Sequence, residues 1–142
     1  MSHKRFAVVG GGLAGCECAL RLARAGLEVT LFEQKPAAMS AAHVSGQLAE
    51  LVCSNSLRSD ETTSGIGLLK AEMRALGSEF MAAADAHRVP AGKALAVDRE
   101  AFAADMTQRI EAAGNIRREQ ARITGLDDAR LQGHDVIILA SG

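Results

Sequence analysis

Arg5-Phe6-Ala7-Val8-Val9-Gly10-Gly11-Gly12-Leu13-Ala14-Gly15 decides the fold, because a short apolar β-prone run passes directly into G-x-G-x-x-G. A helical stretch follows to Ala25 and stops at Gly26, and Glu28-Val29-Thr30-Leu31-Phe32-Glu33 reads as a second strand ending in an acid. Strand, glycine turn, helix and acid-tipped strand together form a dinucleotide-binding fingerprint. Gly10 permits the tight turn, Gly12 leaves room for a pyrophosphate against the backbone, and Gly15 lets the helix approach the sheet. Exposed backbone N–H groups of the stretch from Gly10 through Gly11, Gly12, Leu13, Ala14 and Gly15, with the positive end of the helix dipole, favour a bound anion. Glu33 is placed to accept hydrogen bonds from ribose hydroxyls. A carboxylate there repels a 2′-phosphate, so the site suits FAD or NAD better than NADP.

Outward from this unit, the expected fold class is α/β: an FAD-type Rossmann fold, doubly wound with a mostly parallel sheet. Asp98 reads as the N-cap of a helix to Ala113, with Phe102, Met106 and Ile110 every fourth residue and Gly114 as its stop. Ile116 to Glu119 predicts a third strand, and Arg122-Ile123-Thr124 another short one. Asp135-Val136-Ile137-Ile138-Leu139-Ala140 predicts a buried parallel strand, from its unbroken apolar run. Between the second strand and the Asp98 helix lies a long insertion, about residues 34–97, where βα connections are ordinarily about 2–6 residues. Within it Ile66, Leu69, Met73, Leu76, Phe80 and Ala83 recur at three and four, predicting one amphipathic helix from Ser64 to about Ala86 with a core-facing stripe.

The chain of 142 residues is one domain's worth, and 48% hydrophobic residues suffice for a core. A net charge of −1 excludes a generally basic nucleic-acid binder, so any RNA contact must use a local patch. Phe6, Phe32, Phe80 and Phe102 each sit in an apolar pattern and read as core. No apolar run is long enough to span a membrane, and no secretory signal precedes the first strand. Cys16, Cys18 and Cys53 form neither a disulfide framework nor a C-x-x-C pair, and the four His lack metal-ligand spacing. No metal and no membrane partner are therefore expected, and a reducing cytoplasmic setting fits.

Leu51-Val52-Cys53-Ser54-Asn55-Ser56-Leu57-Arg58-Ser59 places a cysteine among polar residues, unlike a core position. A helix amino end after Ser59, with the Arg58 guanidinium, would lower the thiol pKa and make Cys53 reactive. The same residues equally suit a small buried side chain or a flavin-contacting loop. Arg58, Arg88, Lys93 and Arg99 suit either phosphate, flavin or folate contact or ion pairs with acids such as Asp60 and Asp85. Arg117, Arg118 and Arg122 read as surface.

The glycine motif and the block from Ala49 to Ser59 resemble the folate- and FAD-dependent tRNA (uracil-5-)-methyltransferases. So, in order, do Gly67 to Arg74, Ala86 to Gly92 and Ala94 to Arg99, and Ala140-Ser141-Gly142 resembles the Ala-Thr-Gly strand end of FAD enzymes. The resemblance implies methylation of carbon 5 of a T-loop uridine in tRNA. The carbon comes from 5,10-methylenetetrahydrofolate, FAD is the reductant, and NADH or NADPH recharges it. A thiolate adding at carbon 6 makes carbon 5 nucleophilic, and Cys53 matches a catalytic cysteine of the family. The ribosomal-RNA and wobble-uridine flavoproteins, and a non-catalytic nucleotide-binding remnant, are the alternatives. Residues 1–142 would be the amino-terminal part of the FAD/NAD(P)-binding domain, incomplete and inactive alone, with an open last strand.

Overall fold

The structure is a computed structural model describing residues 4–142. Four parallel strands form the main sheet in the order β6-β2-β1-β7: β1 Arg5–Val9, β2 Glu28–Glu33, β6 Ile116–Gln120 and β7 Val136–Leu139. The period-2 pattern of β1 explains the two layers. Val8 points into one core with Leu31 and Val29, while Ala7 and Val9 point into the other with Phe32. The first core is the larger. Helix α1 (Leu13–Arg24) contributes Cys16, Ala19 and Leu20 to it, and α4 (Arg99–Ala112) contributes Phe102, Met106 and Ile110. The smaller core is closed by Leu131 with Ala121, Ile123 and Ile137.

Asp98 caps α4 by accepting from the N–H groups of Glu100 and Ala101 at 3.1 and 3.0 Å, so the helix begins where its sequence indicates. The third parallel strand likewise matches the expected Ile116 to Glu119. Arg122 to Thr124, however, forms no strand, and the chain there runs as coil. β7 is parallel but only half-buried, with Leu139 exposed, because β1 is its one neighbour in the sheet.

The residues between β2 and α4 carry their own structure. β3 (Ser56–Ser59), β5 (Ala94–Val97) and β4 (Arg88–Val89) form a small antiparallel sheet in the order β3-β5-β4. The single helix predicted over 64–86 is two: α2 Gly65–Ala75 and α3 Glu79–Ala86. Gly77, at φ +72°, leaves the helical path, and the Ser78 hydroxyl then caps α3 by accepting from Met81 N–H at 3.1 Å. The apolar stripe divides: Met73, Phe80 and Ala83 pack on the larger core, whereas Ile66, Leu69 and Leu76 are exposed, and α2 also packs through Gly67 and the stem of Lys70. A methyl on Gly67 would lie 2.0 Å from the Glu61 carbonyl oxygen, which sets the closeness of that packing. Lys70 directs its ammonium onto the Ser59 carbonyl at 2.8 Å.

Candidate functional site at the carboxyl ends of the parallel strands

The glycine turn opens onto a cleft of about 480 Å³, walled by the ends of β1, β2, β6 and β7. Residues Gly10 to Ala14 form its floor, and Glu33, Lys35, His43, Glu50 and Arg122 stand around it. Open parallel sheets bind ligands at this edge.

The glycines of the turn meet different surroundings. Gly10 has φ +109°, and a methyl there would sit 2.3 Å from the Ala140 carbonyl oxygen. A methyl on Gly15 would fall 1.8 Å from the Gly10 carbonyl oxygen, so the helix and the turn touch through bare backbone. A methyl on Gly12 would meet nothing within 4 Å, because that position faces the cleft. Gly12 is also the N-cap of α1 and provides no side-chain acceptor for the first-turn N–H groups. In contrast, α2, α3 and α4 are capped by Ser64, Ser78 and Asp98. Open space, the first-turn N–H groups of α1 without a side-chain cap, and the positive end of the helix dipole converge at the cleft. The N–H groups of Gly10 and Gly11 are already taken by the Phe32 carbonyl and Glu33.

Glu33 is buried at the end of β2, and its carboxylate braces the turn. Oε2 accepts from Gly11 N–H at 2.7 Å and Oε1 from Lys35 N–H at 2.8 Å. A carboxylate has about four acceptor positions, so both oxygens retain capacity toward the cleft. The Gly11 carbonyl accepts from Ala49 N–H at 2.8 Å and from the Cys16 thiol at 3.3 Å. Cys16 is fully buried, and burial pushes its thiol up to about 12.

The Lys35 and Glu50 side chains are 4% and 9% exposed and lie 3.1 Å apart. The Lys35 ammonium also donates to the Gln47 carbonyl, and Glu50 Oε1 accepts from the N–H groups of Val44 and Ser45. Burial alone would raise the Glu50 carboxyl, but the Val44 N–H and the Lys35 ammonium hold it below the usual range.

Cys53 is exposed, in the coil leading to β3. The cleft lining does not include it. Leu51 and Val52 line a second cleft of about 450 Å³ with Gln47 and Arg99, and Glu50 borders both clefts. The amino end of α2, capped by Ser64, lies well beyond Ser59 in the chain. Arg88 pairs with Asp60 and Lys93 with Glu61, so these two cations serve the small sheet. Among the described residues no ion pair engages Arg58 or Arg99. Arg122, read as surface, belongs to the cleft wall. Sequence reading missed Lys35, His43 and Glu50 there. Lys35 directly follows the acid-tipped strand and Glu50 lies in the Cys53 block, and those placements were their only signals.

The sequence signature of the family described as "Glucose inhibited division protein A" matches residues 5–142, which takes in every element of both clefts. The chain belongs to that family. The chain is 63% identical over 136 residues to the methylenetetrahydrofolate--tRNA-(uracil-5-)-methyltransferase TrmFO of Oleidesulfovibrio alaskensis, covering 96% of this chain and 30% of that protein. It is 56% identical over 142 residues to the protein of the same name from Lawsonia intracellularis, covering 100% of this chain and 32% of that one. It therefore spans about 30% of the length of the curated relatives it matches. Among solved structures, Aquifex aeolicus GidA superposes with a TM-score of 0.64 at 21% identity, over 87% of this chain and 21% of that one. p-Nitrophenol 4-monooxygenase PnpA of Pseudomonas putida superposes at 0.50 with 14% identity, over 82% and 32%. These two likenesses establish the fold of this family member.

Proposed function

We propose that this chain serves the methylation of carbon 5 of a tRNA uridine, with FAD in the glycine-turn cleft, 5,10-methylenetetrahydrofolate as carbon donor and NADH or NADPH as reductant. The observation that carries the reading is 63% identity over 136 residues, a span that includes both the glycine turn and the Cys53 segment. Residues 1–142 are then nucleotide-binding domain, with the stretch between β2 and α4 as its insertion.

In this reading the turn from Gly10 through Gly11, Gly12, Leu13, Ala14 and Gly15 binds the pyrophosphate. Its first-turn N–H groups neutralise the negative charge without a counter-cation. Glu33 receives the ribose hydroxyls on its remaining acceptor positions while continuing to hold Gly11. Arg122 and His43 stand at the cleft edge, where the Arg122 guanidinium screens phosphate charge. Bound flavin would supply the electron pair that converts a transferred methylene to methyl. Cys53, in solvent, is open to a nucleobase presented from outside, and acts at the uracil ring as nucleophile or in proton transfer at carbon 5.

The test is direct. The purified chain is mixed with FAD, passed through gel filtration, and its visible spectrum recorded. A flavin band co-eluting with the protein is expected. Colourless protein at saturating FAD would overturn the assignment of the cleft.

A further inference from the structure

The second cleft, of about 450 Å³, falls within the range of about 300–1,000 Å³ typical of small-ligand sites. Buried Leu51 and Ala103 line it together with Val44 and Val52, two valines open to solvent. Three charged residues border it. Glu50 is committed to Lys35 and to the N–H groups of Val44 and Ser45. Arg99 and Glu100 are neighbours at the start of α4, where consecutive side chains do not face each other, and among the described residues neither forms an ion pair. The Arg99 guanidinium makes one long contact, 3.5 Å to the Leu51 carbonyl, so most of its donors remain free.

That contact also fixes where Arg99 stands. Val97 N–H binds the Asn55 carbonyl at 3.0 Å, and Arg99 reaches the Leu51 carbonyl. The junction of β5 and α4 therefore holds both ends of the exposed segment 52–54, with Arg99 beside it. An apolar-lined cleft that carries a free guanidinium and a free carboxylate matches a nucleotide. Apolar side chains take the flat base, the guanidinium binds a phosphate, and the carboxylate accepts from base or ribose donors.

Resting on the function proposed above, we infer that the second cleft seats one nucleotide of the RNA strand presented for methylation, with Arg99 bound to its phosphate. Arg99 is then a positioning residue: it fixes the strand and touches no reacting atom.

The experiment measures binding of the chain to a fluorescein-labelled RNA hairpin with a uridine-containing loop, by fluorescence anisotropy over a series of salt concentrations. FAD retention is recorded on the same preparation. Arg99→Gln should weaken binding by about fivefold or more and reduce the slope of log Kd against log salt by about 0.7–0.9. Arg99→Lys should recover most of both, since a phosphate accepts a point charge. Val52→Glu puts a carboxylate in the cleft without removing Arg99; it should also weaken binding, and it decides the matter if Arg99→Gln does not fold. Arg117→Gln is the control, since Arg117 lies on β6, pairs with Glu119 and lines neither cleft. It should leave the affinity unchanged. An unchanged salt slope in Arg99→Gln, undiminished binding in Val52→Glu, or an equal loss in Arg117→Gln would overturn the inference. So would displacement of the RNA by tetrahydrofolate that depends on Arg99, which would give the cleft to the folate. Absence of RNA binding in protein that retains FAD would overturn this inference alone. Colourless protein that binds RNA through Arg99 would overturn the FAD assignment alone.

Discussion

Gly10 and Gly12 stand two positions apart, and a methyl group on each meets opposite surroundings. Gly10→Ala adds a left-handed penalty to a backbone collision with Ala140 and should cost about 2–4 kcal/mol in urea unfolding. Gly12→Ala enters open space and should cost less than about 1 kcal/mol. The ligand reverses the ranking of importance. Gly12→Ala should weaken FAD binding by about tenfold or more, because the added methyl occupies the approach to the pyrophosphate. An unchanged FAD titration for Gly12→Ala would place the nucleotide elsewhere. At this scale the turn was legible: the sequence assigned Gly10 to the turn and Gly15 to packing, and the contacts of both agree, while Gly12 faces open space. Glu33 was read only as a ribose acceptor. Its hold on Gly11 N–H depends on the pleat of β2 and the depth of the turn, neither of which a one-dimensional pattern carries.

Among the elements, α2 and α3 show how a sound periodicity misleads. Apolar residues at three and four across 64–86 fit one helix, yet Leu76-Gly77-Ser78-Glu79 contains a helix stop followed by an N-cap. Ser78→Ala should lower stability by about 1 kcal/mol through loss of the α3 cap. Leu69→Lys, at a site 56% exposed, should change the unfolding free energy by no more than about 0.5 kcal/mol in urea titration. A large loss from Leu69→Lys would mean that the α2 stripe is buried after all. Asp98 and α4 were legible for the opposite reason. A strong cap, one clean four-residue spacing and a following glycine all agree, so local and tertiary preferences coincide. The short run after Arg122 is coil, and Ile123 packs against the smaller core instead of pairing with the open edge of β6.

For the molecule as a whole, acid should act first where carboxylates are held below their usual range. Burial raises Asp60, but Arg74 and Arg88 lower it further. Arg74 lies 2.9 Å from Asp60 Oδ1, off the hydrogen-bond direction, so that contact is ionic. Arg109 chiefly lowers Asp105, and Val44 N–H with Lys35 lowers Glu50. Because the folded values are depressed, this stabilisation is complete above the ordinary carboxylate pKa of about 4 and is lost as pH falls through the folded values. Urea midpoints should therefore be level near neutrality and fall below about pH 4. Cys16 has the opposite sign. With its folded value raised, its contribution is present below the ordinary thiol pKa and declines as pH rises from about 8.5 toward 12. Cys16→Ala should flatten that alkaline decline, and an unchanged alkaline limb would show that another group governs it.

The sequence by itself determined the β1–turn–α1–β2 unit, since strand, turn, helix and acid are neighbours in the chain and their chemistry is local. It also determined the third strand, the capped α4 and the family, through blocks of matching residues. Only the tertiary structure decided which charges act. Arg88 and Lys93 turned to Asp60 and Glu61, whereas Arg122 came to the cleft. It alone brought Lys35 beside Glu50 and returned Ala49 to Gly11. The physical reason is that an ion pair or a closed hydrogen-bond ring depends on separation in space. The chain between Lys35 and Glu50 follows no regular period, so nothing along it fixes that separation until the coil has packed onto the turn.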